Sequence, residues 1–246
     1  MNLENMNALV TGSSRGIGAS IVEVLASNNC NVIINYNNSE KEAYQLEEYI
    51  KNKYNVKVLT IKADVSNEVE VKNMIEQIIS EFGKLDILVN NAGIAIDTLF
   101  VDKTKENFQK ILDVNLIGTF LVSKYASKYM LEQKQGKIIN ISSTNGIDTF
   151  YPMSLDYDAS KAGVISLTKN FAKELAPYIN VNAIASGWVN TEMTKDLDKD
   201  FYEEEVNKIF MKRFAEPEEI ANVVLFLASP LSSYITGEVI RVDGGF

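Results

Sequence analysis

The amino-acid sequence predicts an α/β fold, a doubly wound parallel sheet of about seven strands with helices on both faces. Three observations carry that expectation. Short apolar runs, most of them β-branched, recur at 8–10, 32–34, 56–61, 87–89, 138–141, 181–184 and 239–242, and read as buried parallel strands. Amphipathic patterns lie between them, such as Val71, Ile75, Ile78, Ile79 and Phe82, spaced along one helical face. A glycine-rich stretch at 11–18, Thr-Gly-Ser-Ser-Arg-Gly-Ile-Gly, turns the first strand into the first helix. No linker, low-complexity tract or internal repeat breaks the alternation, so residues 1–246 read as a single domain.

Composition narrows the chemistry. Thirty-three acidic against 24 basic residues give a formal net charge of -9, which argues against nucleic acid or an anionic membrane as partner. No apolar run approaches the ~20 residues of a membrane span, and residues 1–5 lack a signal-peptide pattern, so a cytoplasmic protein is expected. The sequence contains no histidine, which excludes Ser-His-Asp and Cys-His catalysis and histidine-ligated metals. No metal site is expected. The single cysteine, Cys30, allows no internal disulfide and fits a buried strand start. Acid–base work falls to Tyr, Lys, Asp or Glu.

In chain order, the first βα turn comes first. Gly12, Gly16 and Gly18 remove Cβ where the strand turns sharply, and Ile17, Ile21, Val24 and Leu25 continue as a helix. Backbone N–H groups around Ser14 and Arg15 then face a natural pyrophosphate position at the helix N-terminus. The second strand ends at Asn35-Tyr36-Asn37 without the acid that would bond a ribose 2′-hydroxyl. Glu40 reads as a first-turn acid beside a Ser39–Glu42 capping box. Arg15 can pair a 2′-phosphate, so NADP(H) is expected in preference to NAD(H). Asp64-Val65 follows the third strand and Asn90-Asn91-Ala92-Gly93 the fourth. Asn115 lies in a helical stretch, where by itself it reads as solvent-facing or as the cap of a kink. Ser142 and Ser143 end the fifth strand. Tyr157 and Lys161, four residues apart, project from one face of the helix that follows. Tyr151, by contrast, has Leu155 rather than lysine four residues on.

These pieces, T-G-x-x-x-G-x-G at 11–18, N-N-A-G at 90–93, Asn115, Ser143 and Y-x-x-x-K at 157–161, resemble the short-chain dehydrogenase/reductase family over essentially the whole chain. The resemblance implies a Rossmann-type sheet and an Asn115-Ser143-Tyr157-Lys161 catalytic tetrad. It also implies Asp64 and Val65 at the adenine, Gly93 (after Asn91 and Ala92) against the cofactor, and Lys161 on the nicotinamide ribose. Val189, through its backbone, and Thr191 would hold the carboxamide, with Asn37 at the ribose end. The physical logic stands beside it. A phenol of pKa ~10 is a poor base at neutral pH, and a fixed ammonium lowers that value. Tyr157 would give a proton to a carbonyl oxygen that Ser143 holds. The resemblance also implies that Asn115 supports a water relay behind Lys161.

Segments 213–221, 234–237 and 242–245 resemble the family's 3-oxoacyl-carrier-protein reductase branch. That branch implies a 3-oxoacyl thioester on acyl carrier protein, fatty acid synthesis and a homotetramer. Of two basic residues the branch places near its pocket entrance for the acidic carrier, Lys134 is kept and Tyr178 replaces the other. The runner-up substrate is a free ketone or secondary alcohol, such as a sugar alcohol or steroid. A non-enzymatic NADP(H) sensor would have no need of Ser143, Tyr157 and Lys161 together. Two departures from the family stand out: Ser186 where it has proline, expected to loosen the following loop, and one extra residue between Ser143 and Tyr157. Phe150, Tyr151, Met153 and Leu155 are expected in an apolar pocket wall, and 192–213 as a lid with Met193, Leu197, Phe201, Ile209, Phe210 and Met211 inward.

Overall fold

In a computed structural model describing residues 1–192 and 194–246, the strands are β1 (Asn7–Val10), β2 (Asn31–Tyr36), β3 (Val58–Lys62), β4 (Ile87–Asn90), β5 (Gly136–Ser143), β6 (Ile179–Ser186) and β7 (Val239–Val242). They form one all-parallel sheet in the order β3-β2-β1-β4-β5-β6-β7. The order reverses between β1 and β4, and a crevice opens there at the carboxyl ends of the strands. The helices are α1 (Gly16–Ser27), α2 (Glu40–Lys53), α3 (Glu68–Phe82), α4 (Lys105–Leu112), α5 (Gly118–Gln133), α6 (Leu155–Glu174), α7 (Lys199–Lys208) and α8 (Pro217–Ala228).

The strands are apolar on both faces because each face buries a helical layer. On one side Ile21, Leu25, Ile50, Ile220 and Val224 from α1, α2 and α8 pack on Val10, Ile34 and Ile139. On the other, Ile75, Ile78, Val122, Met130 and Ala172 from α3, α5 and α6 pack on Leu9, Ile33, Leu88 and Ile138. Cys30 is fully buried in the first layer. Burial pushes its thiol up to about 12.

Several local expectations change. Ser39 makes no side-chain cap bond, so the Ser39–Glu42 box does not form, and Tyr36 Oη instead donates to Glu40 Oε1 at 3.1 Å. A reciprocal brace of that kind starts α8, where Glu219 accepts the Glu216 N–H at 2.8 Å behind Pro217. Ser186 stands inside the sheet, just before the loop that follows β6. It is the last residue of β6, in register with Ser143 and Val242. Phe210 and Met211 point outward, at 84% and 66% exposure, while Ile209 is buried under Gly244. Phe150 is likewise exposed. Met193 lies outside the described residues.

Candidate active site

Glycine 12 shows why the first turn tolerates no side chain. Its φ is +60, and a Cβ there would stand 2.7 Å from Ala92 Cα. Gly18 is similarly closed, with Asn91 Nδ2 2.6 Å from where its Cβ would be. The glycine turn and the Asn-Asn-Ala-Gly turn are thus pressed together, and hydrogen bonds tie them. Asn91 Nδ2 donates to the Thr11 and Gly12 carbonyls (2.9 and 3.0 Å), and Thr11 Oγ1 accepts the N–H groups of Asn91 and Ala92 (both 3.0 Å). From β2, Asn35 Oδ1 accepts the Gly12 N–H at 3.1 Å, while its Nδ2 donates to the Ala63 carbonyl at 3.0 Å. Thr11, the first residue of the glycine motif, and Asn35, which the sequence reading passed over, both shape the turn. A polar residue inside an apolar strand is the cue for Asn35.

Arg15 is the N-cap of α1, with no side-chain cap bond and no acid in the first helical turn. The N–H groups that begin α1 are therefore left to a ligand, with Ser14, Gly16 and Ile17 at the same terminus. A cleft of about 790 Å³ opens beside it, lined by Gly16, Ala19, Ser20, Asn190, Thr191 and Thr194, among others. Arg15 is exposed and forms no ion pair among the described residues. At the end of β2, Asn37 Nδ2 donates to Asp64 Oδ2 at 2.9 Å, and Asp64 Oδ1 takes the Ser66 N–H and hydroxyl (2.9 and 2.6 Å). Val65 packs on Gly118 at the start of α5. Val189 is buried and bridges to Ala215, and the Thr191 N–H donates to Thr194 Oγ1 at 3.0 Å. These residues fit the outline of a dinucleotide.

The four catalytic candidates converge on the carboxyl end of β5. Ser143 is its last residue, and its hydroxyl lies 3.4 Å from the Ser186 carbonyl oxygen and accepts the Asn145 N–H at 3.2 Å. Tyr157 and Lys161 lie in the first turns of α6, with the Tyr157 phenol near the Ser143 hydroxyl. Lys161 Nζ donates to the Ile141 carbonyl at 2.8 Å and sits 5.4 Å from the centroid of the Tyr157 ring. Asn115 does not face solvent. It is 1% exposed, in a π-helical turn, Asp113–Ile117, between α4 and α5. Its Oδ1 accepts the Ile94 N–H at 2.8 Å, and its Nδ2 donates to the Ile94 carbonyl (2.9 Å) and to Ser160 Oγ (3.0 Å). A Cβ on Gly93 would stand 3.4 Å from Asn115 Oδ1 and 3.6 Å from Lys161 Nζ, so these three meet at one point. Asn90 is structural, donating to Ser123 Oγ and Asn140 Oδ1 at 2.9 and 2.8 Å.

Electrostatics in the chain alone differ from the sequence expectation. Burial pushes the Tyr157 phenol up to about 12, opposed by the nearby Ser143 hydroxyl and reinforced by Asp158. Lys161 is held down at about 8 by burial. Its ammonium is aimed at the Ile141 carbonyl, and desolvation of the phenolate outweighs any support from it.

The pocket side is aromatic. The Trp188 ring stacks on Phe214 (centroids 5.4 Å apart) and meets Phe201 of α7 edge-on at 5.9 Å, with Tyr151 6.1 Å from the same Phe201. Trp188 Nε1 donates to the buried Glu205 at 2.9 Å, which anchors α7. Lys134 and Tyr178 sit elsewhere. Lys134 caps α5 just before β5 begins, and Tyr178 immediately precedes β6. Both therefore lie at the amino edge of the sheet, about 25 Å along an eight-residue strand from Ser143. Helices that return antiparallel to the strands end at that edge, so within one chain neither residue borders the pocket.

This sheet order, with Asn115, Ser143, Tyr157 and Lys161 at one end of it, agrees with the comparisons. A family profile described as Enoyl-(Acyl carrier protein) reductase matches residues 12–246, and the chain belongs to the short-chain dehydrogenase/reductase family of oxidoreductases. Two relatives are closely similar. The 3-oxoacyl-[acyl-carrier-protein] reductase FabG of Aquifex aeolicus is 44% identical over 246 residues, covering 100% of this chain and 98% of its own length. That of Staphylococcus aureus is 45% identical over 240 residues, 97% of each chain. Among solved structures, a gluconate 5-dehydrogenase from Burkholderia cenocepacia in complex with NADP and tartrate superposes with a TM-score of 0.93. It is 31% identical, and the match covers 99% of this chain and 96% of that one. Among the described residues no helix is long and apolar enough to cross a membrane.

Proposed function

We propose that this oxidoreductase reduces the 3-oxo group of an acyl thioester, carried on acyl carrier protein, to a secondary alcohol with NADP(H), as a step of fatty acid synthesis in the cytoplasm. The observation that carries the proposal is the convergence of Ser143, Tyr157 and Lys161 at the end of β5 and the start of α6. The two FabG relatives supply the substrate class.

NADPH, when bound, supplies the hydride. The residues that would hold it are the glycine turn at Gly12, Gly16 and Gly18, the helix start at Ser14, Arg15 and Ile17, and Asn37, Asp64 and Val65. Asn91, Ala92, Gly93, Val189 and Thr191 complete the set, together with Tyr157 and Lys161. Arg15 would pair the 2′-phosphate: Glu40, the nearby acid that could repel it, is engaged by Tyr36. The Tyr157 phenol, raised to about 12, stays protonated at neutral pH and gives its proton to the carbonyl oxygen. Ser143 donates a hydrogen bond to the same oxygen as charge develops on it. Lys161, charged below about pH 8, favours the phenolate left behind. Asn115 holds the Gly93-Ile94 backbone in place and backs a water relay behind Lys161.

A second reading has its own support. Lys134 and Tyr178 are remote from the pocket of their own chain, so a carrier docking on them would need another copy beside it. A homotetramer packed through α5 and α6, whose Phe120 and Phe171 stack 6.5 Å apart with Phe120 partly exposed, would bring one. Without that assembly a free hydroxyketone becomes the better substrate, as the likeness to a gluconate dehydrogenase suggests. Initial rates with NADPH and NADH against an acetoacetyl thioester, its carrier-bound form and a panel of free ketones decide between them. A carrier-bound substrate turned over no faster than the free ketones overturns the first reading.

A further inference from the structure

Asp156 stands next to Tyr157 in sequence, and none of its side chain reaches solvent. Its Oδ1 accepts Lys103 Nζ at 2.7 Å and the Tyr157 backbone N–H at 3.0 Å. Its Oδ2 is buried with no partner among the described residues. The Lys103 side chain is 4% exposed, and its Nζ also donates to the Ile96 carbonyl at 3.0 Å. Every other ion pair among the described residues keeps at least one side chain a third or more exposed. A fully buried pair is a poor source of stability, since desolvation of two charges roughly cancels their attraction. One carboxylate oxygen left unpaired makes the balance worse.

Position supplies the role. Tyr157 is the third residue of α6, whose N-cap Ser154 gives no side-chain cap bond, so Asp156 satisfies a helix-start donor that would otherwise lack a partner. Ile96 lies in the segment that leaves Gly93, the same segment whose Ile94 is clamped by Asn115. Close by, the Thr98 N–H donates to the Met153 carbonyl at 3.1 Å. Lys103 therefore joins, at one ammonium, the segment 94–98 to the first turn of the helix that carries the proton donor.

We propose that Lys103 and Asp156 are a positioning pair that locks the first turn of α6 against segment 94–98 and so aims the Tyr157 hydroxyl at Ser143 and the reacting carbonyl. The proposal rests on the carbonyl-reductase reading above. A lateral shift of the first turn would carry the phenol out of hydrogen-bond reach, and small misplacements of a reacting group cost large factors in rate.

The test uses the full chain and the double variant Lys103→Met/Asp156→Asn, which removes both charges at similar volume and keeps an acceptor for the Tyr157 N–H. Four quantities are read: the thermal midpoint, NADPH affinity by nicotinamide fluorescence, kcat on an acetoacetyl thioester, and amide hydrogen exchange over 94–98 and 155–158. The midpoint and the NADPH dissociation constant should stay near wild type, within about threefold for the latter. The kcat should fall about tenfold or more, with exchange faster in both segments. A wild-type kcat, or an unchanged exchange rate, overturns the proposal. Should the double variant fold poorly, Asp156→Asn keeps the shape and the acceptor for Tyr157 but weakens the ion pair. It should lower kcat about threefold or more with faster exchange at 94–98, and wild-type values for either reject the lock. If wild-type protein reduces none of the ketones, the carbonyl-reductase reading fails, and hydrogen exchange alone then decides whether the lock exists.

Discussion

Two walls enclose the crevice, and they are built on different terms. The catalytic wall is a strand end and a helix start whose polar groups are buried and multiply bonded. Lys161 is fixed to Ile141, Asn115 to Ile94 and Ser160, and Ser142 Oγ to the Lys161 carbonyl at 3.0 Å. The opposite wall, from Thr194 through α7, is largely exposed. Its ion pairs, such as Lys208 with Glu204 at 3.0 Å, stand in solvent and contribute little. It is held by Glu205 on Trp188, by rings stacked around Phe201 and Phe214, and by buried Ile209. The difference teaches where chemistry and selection reside. Groups that move a proton need fixed geometry and sit where neighbouring strands enforce it. A wall that meets variable substrates can be loosely held, since local opening costs little there.

Breaking the rigid wall should cost most. Tyr157→Phe removes one hydroxyl and leaves the ring packed, so kcat should drop at least ~1000-fold with NADPH affinity near normal. A variant keeping more than about a tenth of wild-type kcat would remove Tyr157 as the acid, because that corresponds to under ~1.4 kcal/mol.

Lys161 tests the same wall through pH. Reduction should weaken as pH rises through about 8, where Lys161 loses its charge, while the phenol stays protonated to about 12. Stability runs the other way. The folded-state value lies below the ~10.4 of an unfolded lysine, so burying the charge destabilises the protein fully below pH 8. Between pH 8 and ~10.4 the unfolded chain binds the extra proton, and stability on this account rises with pH. Lys161→Met should therefore abolish activity yet stabilise the fold at pH 7 by about 2 kcal/mol, after allowing for the lost bond to Ile141. Denaturant midpoints at pH 7 and 10 measure it. A destabilised Lys161→Met at pH 7 contradicts the assignment.

Arg15→Ala lies at the mouth of the crevice, outside both walls. It should weaken NADPH binding about tenfold or more and leave NADH within about twofold, read by paired fluorescence titrations. Equal losses would take the 2′-phosphate away from Arg15.

The smallest effect belongs to the loose wall. Trp188→Phe keeps the stacking but leaves Glu205 Oε2 without its indole donor, Lys208 still holding Oε1, and should raise KM for the acyl substrate about three- to tenfold with kcat nearly unchanged. A fall in kcat matching that of the Tyr157 variant would erase the contrast between the walls.

Periodicity and spacing by themselves determined much of this molecule: the parallel sheet, the glycine turn, the Tyr157–Lys161 pair on one helical face and the strand-end position of Ser143. Each is a relation between residues a few positions apart, and backbone geometry makes such relations readable. Tertiary structure decided the rest. Asn115, ambiguous along its own helix, became a clamp because Ile94 crosses it. Phe210 and Met211 turned outward because the backbone of Gly244 and Gly245 pairs with theirs. Lys134 went to the far edge of the sheet because α5 runs against the strands. Lys103 and Asp156 met across 53 residues of chain, a contact without local pattern, since its energy depends on what the fold buries around both charges.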